Sequence, residues 1–370
     1  MRLNSLVGRG ARAFLQAHPA VRPVAQAAKK ELEFLLHTTA LLFPSIIEPD
    51  PTEIYLTLTA NCNLRCLGCR YGRDFMAGSQ LSWEIVKGVL DDCRAINLLN
   101  IRFYGGEPLL HPDLPRMVEH ASRLGLHSLL TTNGVLLEQK FDELYAAGLR
   151  RISVGIYGTA ESYEPYVQRR NKYGEILRGI AHAREHGGKD LILVLGWLLM
   201  RPTCNLRSLH EVWELAKEYH APIGVSLIHY SLPYFTEGPD RELQFREEDR
   251  PAIEEVVAEM LRLKKLYPGL IQQSESAIRS IPDWLLLRSK MRIPCDRYKL
   301  IWVGADGTVQ LCYVTFKLGN LHEKRLVDIL FTPEHSQAAR DAFQLKCPNC
   351  HCSYHKRVEL YPVSRLRYAR

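Results

Sequence analysis

The chain has 370 residues, of which 46% are hydrophobic and 24% are charged, and this balance is typical of a folded globular protein. The length is sufficient for one large domain, or for one large and one small domain. Ten cysteines in a chain of this length are too few and too clustered for a secreted disulfide scaffold. They indicate metal-bound thiolates in a reducing compartment, so we expect a cytoplasmic protein.

The net charge of +7 is concentrated at the two ends of the chain. Residues 1–30 contain six Lys or Arg and no acidic residue, and residues 353–370 contain five Lys or Arg beside Glu359. The remainder is slightly acidic. Because basic tails more often aid solubility than read a nucleic acid, a nucleic-acid partner is not expected.

The N-terminal region lacks the compact apolar core and cleavage site of a signal peptide. An apolar run at 32–43 is interrupted by Glu33 and His37, and it is shorter than the ~20 residues that span a bilayer. Two interpretations remain: a helix packed on the main domain, which we favour, or an amphipathic segment that gives peripheral membrane contact.

From residue 52 onward, short β-branched or aromatic runs alternate with longer stretches of helical period. The pattern predicts strands at 54–59, 100–104, 127–132, 150–156, 190–199 and 222–229. It predicts helices at 81–96, 113–124, 138–147, 172–186, 206–219 and 247–266. Six such units predict an α/β fold, a partial (β/α)6 TIM-like barrel with its active site at the carboxyl ends of the strands.

Three thiols follow the first predicted strand within eight residues, in the spacing Cys62-x3-Cys66-x2-Cys69. Three thiolates on one loop can hold three irons of a four-iron cluster and leave the fourth iron open. A disulfide or a four-ligand zinc site would not require this spacing.

The second predicted strand ends in Gly105-Gly106-Glu107-Pro108. Consecutive glycines let a ligand approach the backbone, and the carboxylate can accept hydrogen bonds from an ammonium group. With the three cysteines, this segment resembles the radical S-adenosylmethionine (radical SAM) superfamily over residues 52–352.

The resemblance implies a [4Fe-4S] cluster on Cys62, Cys66 and Cys69 that binds S-adenosylmethionine through its open iron. It implies an oxidoreductase that cleaves S-adenosylmethionine to a 5′-deoxyadenosyl radical, which abstracts hydrogen from the substrate. An electron donor such as flavodoxin or ferredoxin would reduce the cluster.

The resemblance also implies further contacts with S-adenosylmethionine from strand ends. Asn133 after the third strand and Ser153 on the fourth are candidates, and Arg201 after the fifth could pair with the carboxylate. The residue before the third cysteine is usually aromatic in this superfamily, but here it is Gly68. Tyr71 or Phe75 could supply the ring, and the departure is compatible with a subgroup in which some members act on lipids.

Two further cysteines are predicted to be structural. Cys93 falls on the apolar stripe of the helix at 81–96, where a free thiol behaves as a small hydrophobe. Cys204 stands alone after Pro202, and we expect it to be buried as well.

A second cysteine neighbourhood begins with a predicted β-hairpin that has Cys295 and Cys312 near its ends. Three more thiols follow at Cys347, Cys350 and Cys352. A four-thiolate site suits zinc and iron–sulfur clusters equally well. His351 or His355 could also be ligands.

Gly307-x4-Cys312 resembles the auxiliary-cluster region of the radical SAM branch called SPASM, or twitch in its shortened form. The resemblance implies one auxiliary [4Fe-4S] cluster on Cys295, Cys312, Cys347 and Cys350, with Cys352 as a spare that could replace Cys350. Such a cluster can accept an electron from an oxidised substrate radical.

These observations divide the chain into five predicted regions. They are a basic helical extension (1–50), the partial barrel (51–268), a linker (269–291), a small β-hairpin and helix domain for the auxiliary cluster (292–352) and a basic tail (353–370). The loop from His229 to Asp240 is predicted to be a substrate lid or an ordinary connection.

The expected function is modification of a peptide, a sugar or cyclitol, or another small metabolite, by net oxidation or epimerisation. The alternatives are radical SAM modification of a membrane lipid or nucleic acid, and a non-catalytic iron–sulfur electron carrier or sensor.

Overall fold

Six parallel strands form the wall of a partial barrel in the computed structural model, which describes residues 18–71, 76–230, 242–312 and 315–369. Each strand pairs in parallel with the next along the chain. The strands are β1 (Glu53–Thr57), β2 (Asn100–Tyr104), β3 (His127–Thr132), β4 (Arg151–Ile156), β5 (Ile192–Leu199) and β6 (Ile223–Leu227). The six strands predicted from sequence are therefore confirmed.

The helices alternate with these strands and cover the outside of the sheet. Those of the N-terminal extension and barrel are α1 (Arg22–Ala40), α2 (Trp83–Ala95), α3 (Leu114–Arg123), α4 (Leu137–Ala146), α5 (Tyr163–Val167), α6 (Lys172–Gly187), α7 (Leu206–Glu218) and α8 (Arg250–Leu266). Those that follow are α9 (Glu275–Arg279), α10 (Ile281–Leu287), α11 (Leu326–Ile329), α12 (Pro333–Phe343), α13 (Tyr354–Leu360) and α14 (Pro362–Arg367).

Helix α2 shows how a sequence pattern sets local structure. Ser82 caps its first turn by accepting a hydrogen bond from the Ile85 amide at 3.3 Å. The apolar stripe faces the core, and Cys93 on it is fully buried. Cys204 is also buried, so both thiols have the structural position that was predicted.

The sheet continues beyond β1 into the region of the second cysteine set. Strand β7 (Leu300–Val303) pairs in parallel with β1, and β8 (Thr308–Leu311) and β9 (Lys317–Asn320) follow in antiparallel order. The predicted hairpin is confirmed as β7 and β8. The sequence did not predict β9 or the pairing of β7 with β1. This pairing makes both regions parts of a nine-stranded sheet.

The C-terminal segment packs against β6, at the far edge of the barrel wall. His351 Nε2 lies 3.1 Å from the Leu227 carbonyl oxygen, and Tyr230 donates a 2.6 Å hydrogen bond to the Asn349 carbonyl. Residues of this segment therefore line part of the barrel interior beside β6.

The predicted linker after the barrel is wrong for residues 274–291, because most of this stretch forms α9 and α10. Ile278, Ile281 and Trp284 are fully buried. Because these residues are spaced three apart, they form one apolar face. The sequence analysis did not recognise this helical pattern.

Helix α1 packs on the C-terminal region through polar contacts. His37 Nε2 lies 3.0 Å from the Tyr298 hydroxyl, and Lys30 forms a 2.9 Å ion pair with Glu359. The favoured interpretation of a packed helix is thereby confirmed. No helix in the described parts of the chain is both long and apolar enough to cross a membrane.

Candidate functional site

The loop that contains Cys62, Cys66 and Cys69 follows β1 at the carboxyl end of the barrel. Cys62 and Cys69 are exposed and Cys66 is half-buried. The loop is held by the backbone of α5, since the Leu67 amide donates to the Tyr166 carbonyl at 2.9 Å. The three thiols are therefore fixed at a rim that a second molecule can reach.

The two glycines after β2 let the cysteine loop lie against the end of that strand. A Cβ on Gly106 would lie 2.3 Å from the Asn61 carbonyl oxygen, and one on Gly105 would lie 2.6 Å from that of Thr59. The Gly106 amide donates to the Thr59 carbonyl at 2.8 Å. The approach of a ligand to these glycines stays a prediction, and the structure adds that the chain before Cys62 also needs the space.

Glu107 is a buried brace between β2 and β3. Its Oε1 accepts hydrogen bonds from Thr132 Oγ1 at 2.7 Å and from the Leu109 amide at 3.0 Å, and its Oε2 accepts one from the Asn133 amide at 2.8 Å. Burial raises the pKa of this carboxyl to about 7, against the lowering effect of these bonds. Binding of an ammonium group by Glu107 stays a prediction, and the structure adds a positioning role that sequence analysis missed.

Asn133 connects this brace to the cysteine loop. Its Nδ2 lies 2.7 Å from Asn63 Oδ1 and 3.8 Å from Cys62 Sγ, and the Leu64 amide lies 3.4 Å from the same sulfur. Desolvation raises the pKa of the Cys62 thiol to about 11, and these two donors act in the opposite direction. N–H donors aimed at a sulfur stabilise its thiolate form, as a metal ligand requires.

The remaining predicted contacts have different surroundings. Ser153 lies on β4 and lines the barrel interior. Arg201 forms ion pairs with Asp249 at 3.0 Å and Glu248 at 3.4 Å, and its pairing with S-adenosylmethionine stays a prediction. The position of Arg201 after β5 did not predict these acidic partners, because they come from a later part of the same chain.

Tyr71 does not offer a free ring in place of the aromatic residue absent at Gly68. Tyr71 is buried, and its ring packs edge-on against Trp302 with centroids 6.0 Å apart. Phe75 lies outside the described residues.

The second cysteine set surrounds one small cavity. All five thiols line it: Cys295, Cys312, Cys347, Cys350 and Cys352. Burial raises the pKa of Cys295 to about 12, so its thiolate requires a compensating cation. A sulfur-rich donor set of this kind fits an iron–sulfur cluster or zinc.

Cys352 differs from the other four thiols because it also lines the barrel interior. Its Sγ lies 3.3 Å from His229 Nε2. His351 and His355 line the barrel interior and not the cysteine cavity. These positions favour Cys295, Cys312, Cys347 and Cys350 as the ligands.

The barrel interior contains a cavity of about 530 Å³. At the carboxyl end it is lined by Tyr104 and Tyr157. Burial raises the pKa of both phenols, and the next largest cause is the nearby Cys69 thiol for Tyr104 and the Cys66 thiol for Tyr157. Cys352 lines another part of the cavity wall. The same cavity therefore lies beside residues near the first cysteine set and beside one cysteine of the second set.

Comparison with protein families agrees with this geometry. Residues 56–202 match the radical SAM superfamily, so the chain contains the domain of that class. Residues 295–353 match the SPASM iron–sulfur cluster-binding domain. The chain thus contains a radical SAM domain followed by a SPASM domain, and these domains imply [4Fe-4S] clusters and S-adenosylmethionine as cofactors.

Curated relatives share part of the chain. Fe-coproporphyrin III synthase from Methanosarcina barkeri is 27% identical over 215 residues, which are 57% of this chain and 51% of the relative. GTP 3′,8-cyclase from Mycobacterium sp. (strain KMS) is 34% identical over 142 residues, 37% of this chain and 41% of that protein. The chain therefore spans about half, or less, of the length of these relatives.

Solved structures share the fold over most of the chain. Native anSMEcpe with bound AdoMet has a TM-score of 0.60 and 17% identity, and the match covers 81% of this chain and 88% of that one. Streptococcus suis SuiB bound to S-adenosylmethionine has a TM-score of 0.61 and 14% identity, with 96% and 85% covered. At these identities the likeness establishes the fold alone.

Proposed function

We propose that this protein is an enzyme that reductively cleaves S-adenosylmethionine and abstracts a hydrogen atom from a small metabolite or peptide, with net oxidation or epimerisation. The observation that carries the proposal is the cavity of about 530 Å³ that extends from Tyr104 and Tyr157, beside the first cysteine set, to Cys352 in the second. When bound, a reduced [4Fe-4S] cluster and S-adenosylmethionine supply the 5′-deoxyadenosyl radical for hydrogen abstraction.

The chain's own residues would position and protect this chemistry. Cys62, Cys66 and Cys69 would hold the first cluster, and Asn133 would fix the Cys62 sulfur by its N–H donor. Glu107 would keep the ends of β2 and β3 together beneath the loop. The accessible rim would admit S-adenosylmethionine, and the barrel interior would hold the substrate beside it.

Cys295, Cys312, Cys347 and Cys350 would hold an auxiliary cluster. Full ligation by four thiolates suits an electron acceptor better than a substrate-binding site. Its place beside the barrel cavity is appropriate for an oxidation in which the substrate loses a hydrogen atom and an electron.

Two groups of similar proteins support different substrate classes. SuiB bound to the precursor peptide SuiA has a TM-score of 0.57 to this chain, and anSMEcpe bound to the Cp18Cys peptide has 0.60. The sequence relatives are named for small-molecule products and substrates, such as GTP. The proposal therefore includes both peptides and small metabolites.

The direct experiment is to assay 5′-deoxyadenosine after anaerobic cluster reconstitution and reduction with dithionite or a flavodoxin system. We expect one 5′-deoxyadenosine for each S-adenosylmethionine cleaved. Absence of the product from protein with a full iron complement would contradict the proposal and favour an electron carrier or sensor.

A membrane lipid is a second candidate substrate because apolar side chains remain exposed in and after α1. Leu35, Leu42 and Phe43 are 59%, 78% and 60% exposed. Leu35→Glu and Phe43→Glu would remove apolar surface without disturbing buried His37. Loss of co-sedimentation with anionic vesicles in these variants would support membrane contact, and an absence of vesicle binding by the unaltered protein would exclude it.

A further inference from the structure

We propose that the barrel cavity binds a small anionic metabolite, whose carboxylate or phosphate is held by Arg102 and Arg151. This inference rests on the proposed function, since it names the substrate class of that site. Three arginines line the cavity, the third being Arg297, and none of its described lining residues is Asp or Glu. A cavity of about 530 Å³ is within the usual size range of small-molecule sites.

The charges of Arg102 and Arg151 are available to a ligand. Arg297 forms a 2.7 Å ion pair with Glu53. Within the described parts of the chain, Arg102 and Arg151 form no ion pair. Against the raising effect of burial, however, the charge of Arg102, after that of Arg297, also lowers the pKa of Glu53. The Arg102 guanidinium stacks 4.5 Å from the centroid of the Tyr55 ring, which holds it in the barrel interior.

Several buried polar atoms around the cavity also lack a hydrogen-bond partner among the described residues. They are Arg102 Nε, Arg297 Nε, Thr131 Oγ1, His351 Nδ1 and Ser353 Oγ. Buried polar groups are normally paired, and leaving one unpaired is unfavourable. Their gathering around one cavity indicates a polar occupant.

His351 gives further information about this occupant. Because its Nε2 lies 3.1 Å from the Leu227 carbonyl oxygen, Nε2 carries the proton and Nδ1 is an acceptor. A hydroxyl or amino group of the ligand would satisfy Nδ1, so we infer an anion that also has hydrogen-bond donors.

The topology sets the orientation of such a molecule. Arg151 is the first residue of β4, whereas Tyr104 and Tyr157 lie at the carboxyl ends, near the first cysteine set. A second cavity of about 450 Å³ at the amino ends shares Arg102, Arg151 and Arg297. The anionic group therefore lies toward the amino ends, with the remainder of the molecule toward Cys66 and Cys69.

The second cavity contains four carboxylates, but three of them already have cationic partners. Glu53 pairs with Arg297, Glu33 with Lys299 at 3.3 Å, and Glu359 with Lys30 at 2.9 Å. The fourth is Asp296, whose buried Oδ1 has no hydrogen-bond partner among the described residues. Seven Lys or Arg line this cavity against the four carboxylates, so positive charge exceeds negative charge there.

The test is calorimetric titration of inorganic pyrophosphate into cluster-loaded protein saturated with S-adenosylmethionine, at constant ionic strength. We expect saturable binding. Arg102→Gln and Arg151→Gln should each weaken it about tenfold or more, as expected for a charge-assisted hydrogen bond. Arg123→Gln, which removes an exposed charge on α3, should leave binding unchanged.

If Arg102→Gln disturbs folding, the Arg151→Gln variant still provides the test, because Arg151 is exposed and its substitution should not disturb the fold. Absence of pyrophosphate binding to the unaltered protein, or equal binding by Arg151→Gln and Arg123→Gln, would overturn the inference. Parallel assays of 5′-deoxyadenosine separate the two proposals. Product without pyrophosphate binding contradicts only the anion site, and binding without product contradicts only the radical reaction.

Discussion

The two cysteine sets differ in how the protein surrounds them. Cys62 and Cys69 are exposed on a loop, whereas Cys295, Cys350 and Cys352 are buried around one cavity. The first set lies at a rim where a soluble cofactor can approach, and the second is enclosed by the β7–β8 hairpin and the C-terminal segment. Under the proposed function, this difference in donor number and accessibility suits a first site that admits a co-substrate and a second site that only exchanges electrons.

The largest expected effect comes from removing one ligand of the exposed set. Cys66→Ala should reduce 5′-deoxyadenosine formation to the level of a reaction without protein, because two thiolates cannot hold the cluster. Product is measured by chromatography after anaerobic reduction. Cys93→Ala and Cys204→Ala are matched controls and should retain product formation. Equal loss in the Cys93→Ala control would mean that folding, not ligation, was affected.

Substitution within the enclosed set should identify its four ligands. Cys350→Ala should lose about four irons per chain, whereas Cys352→Ala should retain them, since the Cys352 sulfur contacts His229 and the barrel cavity. Iron and sulfide are counted on reconstituted protein. If Cys352→Ala lost the irons and Cys350→Ala retained them, Cys352 would be the fourth ligand in place of Cys350.

The fit of the exposed loop against β2 predicts a smaller effect for a single added methyl group. Gly106→Ala places Cβ 2.3 Å from the Asn61 carbonyl oxygen, so we expect a loss of about 1–3 kcal/mol in unfolding free energy and lower iron occupancy of the first site. Gly88→Ala, which has open space in helix α2, should be neutral or stabilising. Urea unfolding under anaerobic conditions measures both. Equal stability in the two variants would contradict the close approach.

The smallest predicted effect concerns His37, on the side of the molecule that holds the enclosed set. Desolvation by burial, and secondarily Lys299, lowers its pKa to about 4, against opposing effects of Asp296 and Glu33. The unfolded chain therefore binds more protons between pH 4 and 6.5, so stability is fully present above pH 6.5 and declines as the pH falls toward 4.

Between pH 7 and 5 the loss from this residue should be about 1–2 kcal/mol. His37→Gln should flatten the pH dependence of unfolding, and His322→Gln, at an exposed site, should not. If the His37→Gln variant keeps the full slope, another group is responsible for it.

Sequence patterns predicted much of the barrel because each strand and helix there has its own local signal. The six parallel strands, the burial of Cys93 and the β7–β8 hairpin required only periodicity and turns. The pairing of β7 with β1 could not be predicted in this way, because it joins residues more than 240 positions apart. Likewise, the carboxylates that hold Arg201 come from a later part of the chain.

Some features of the candidate site could likewise be predicted from the sequence, and others could not. The spacing of Cys62, Cys66 and Cys69 was readable directly, and the domain match agrees with it. The brace formed by Glu107, Thr132 and Asn133 depends on the meeting of two strand ends, and the free charges of Arg102 and Arg151 depend on which acids lie nearby. Such properties follow from tertiary structure and leave no local pattern.

The most direct test of one exposed and one enclosed cluster is an anaerobic count of iron and sulfide. We predict about eight irons and eight sulfides per chain in the unaltered protein. We predict about four of each when Cys62, Cys66 and Cys69 are all Ala, and about four when Cys295 and Cys312 are both Ala. About four irons with one zinc in the unaltered protein would contradict the second cluster and remove the electron acceptor from the proposed reaction.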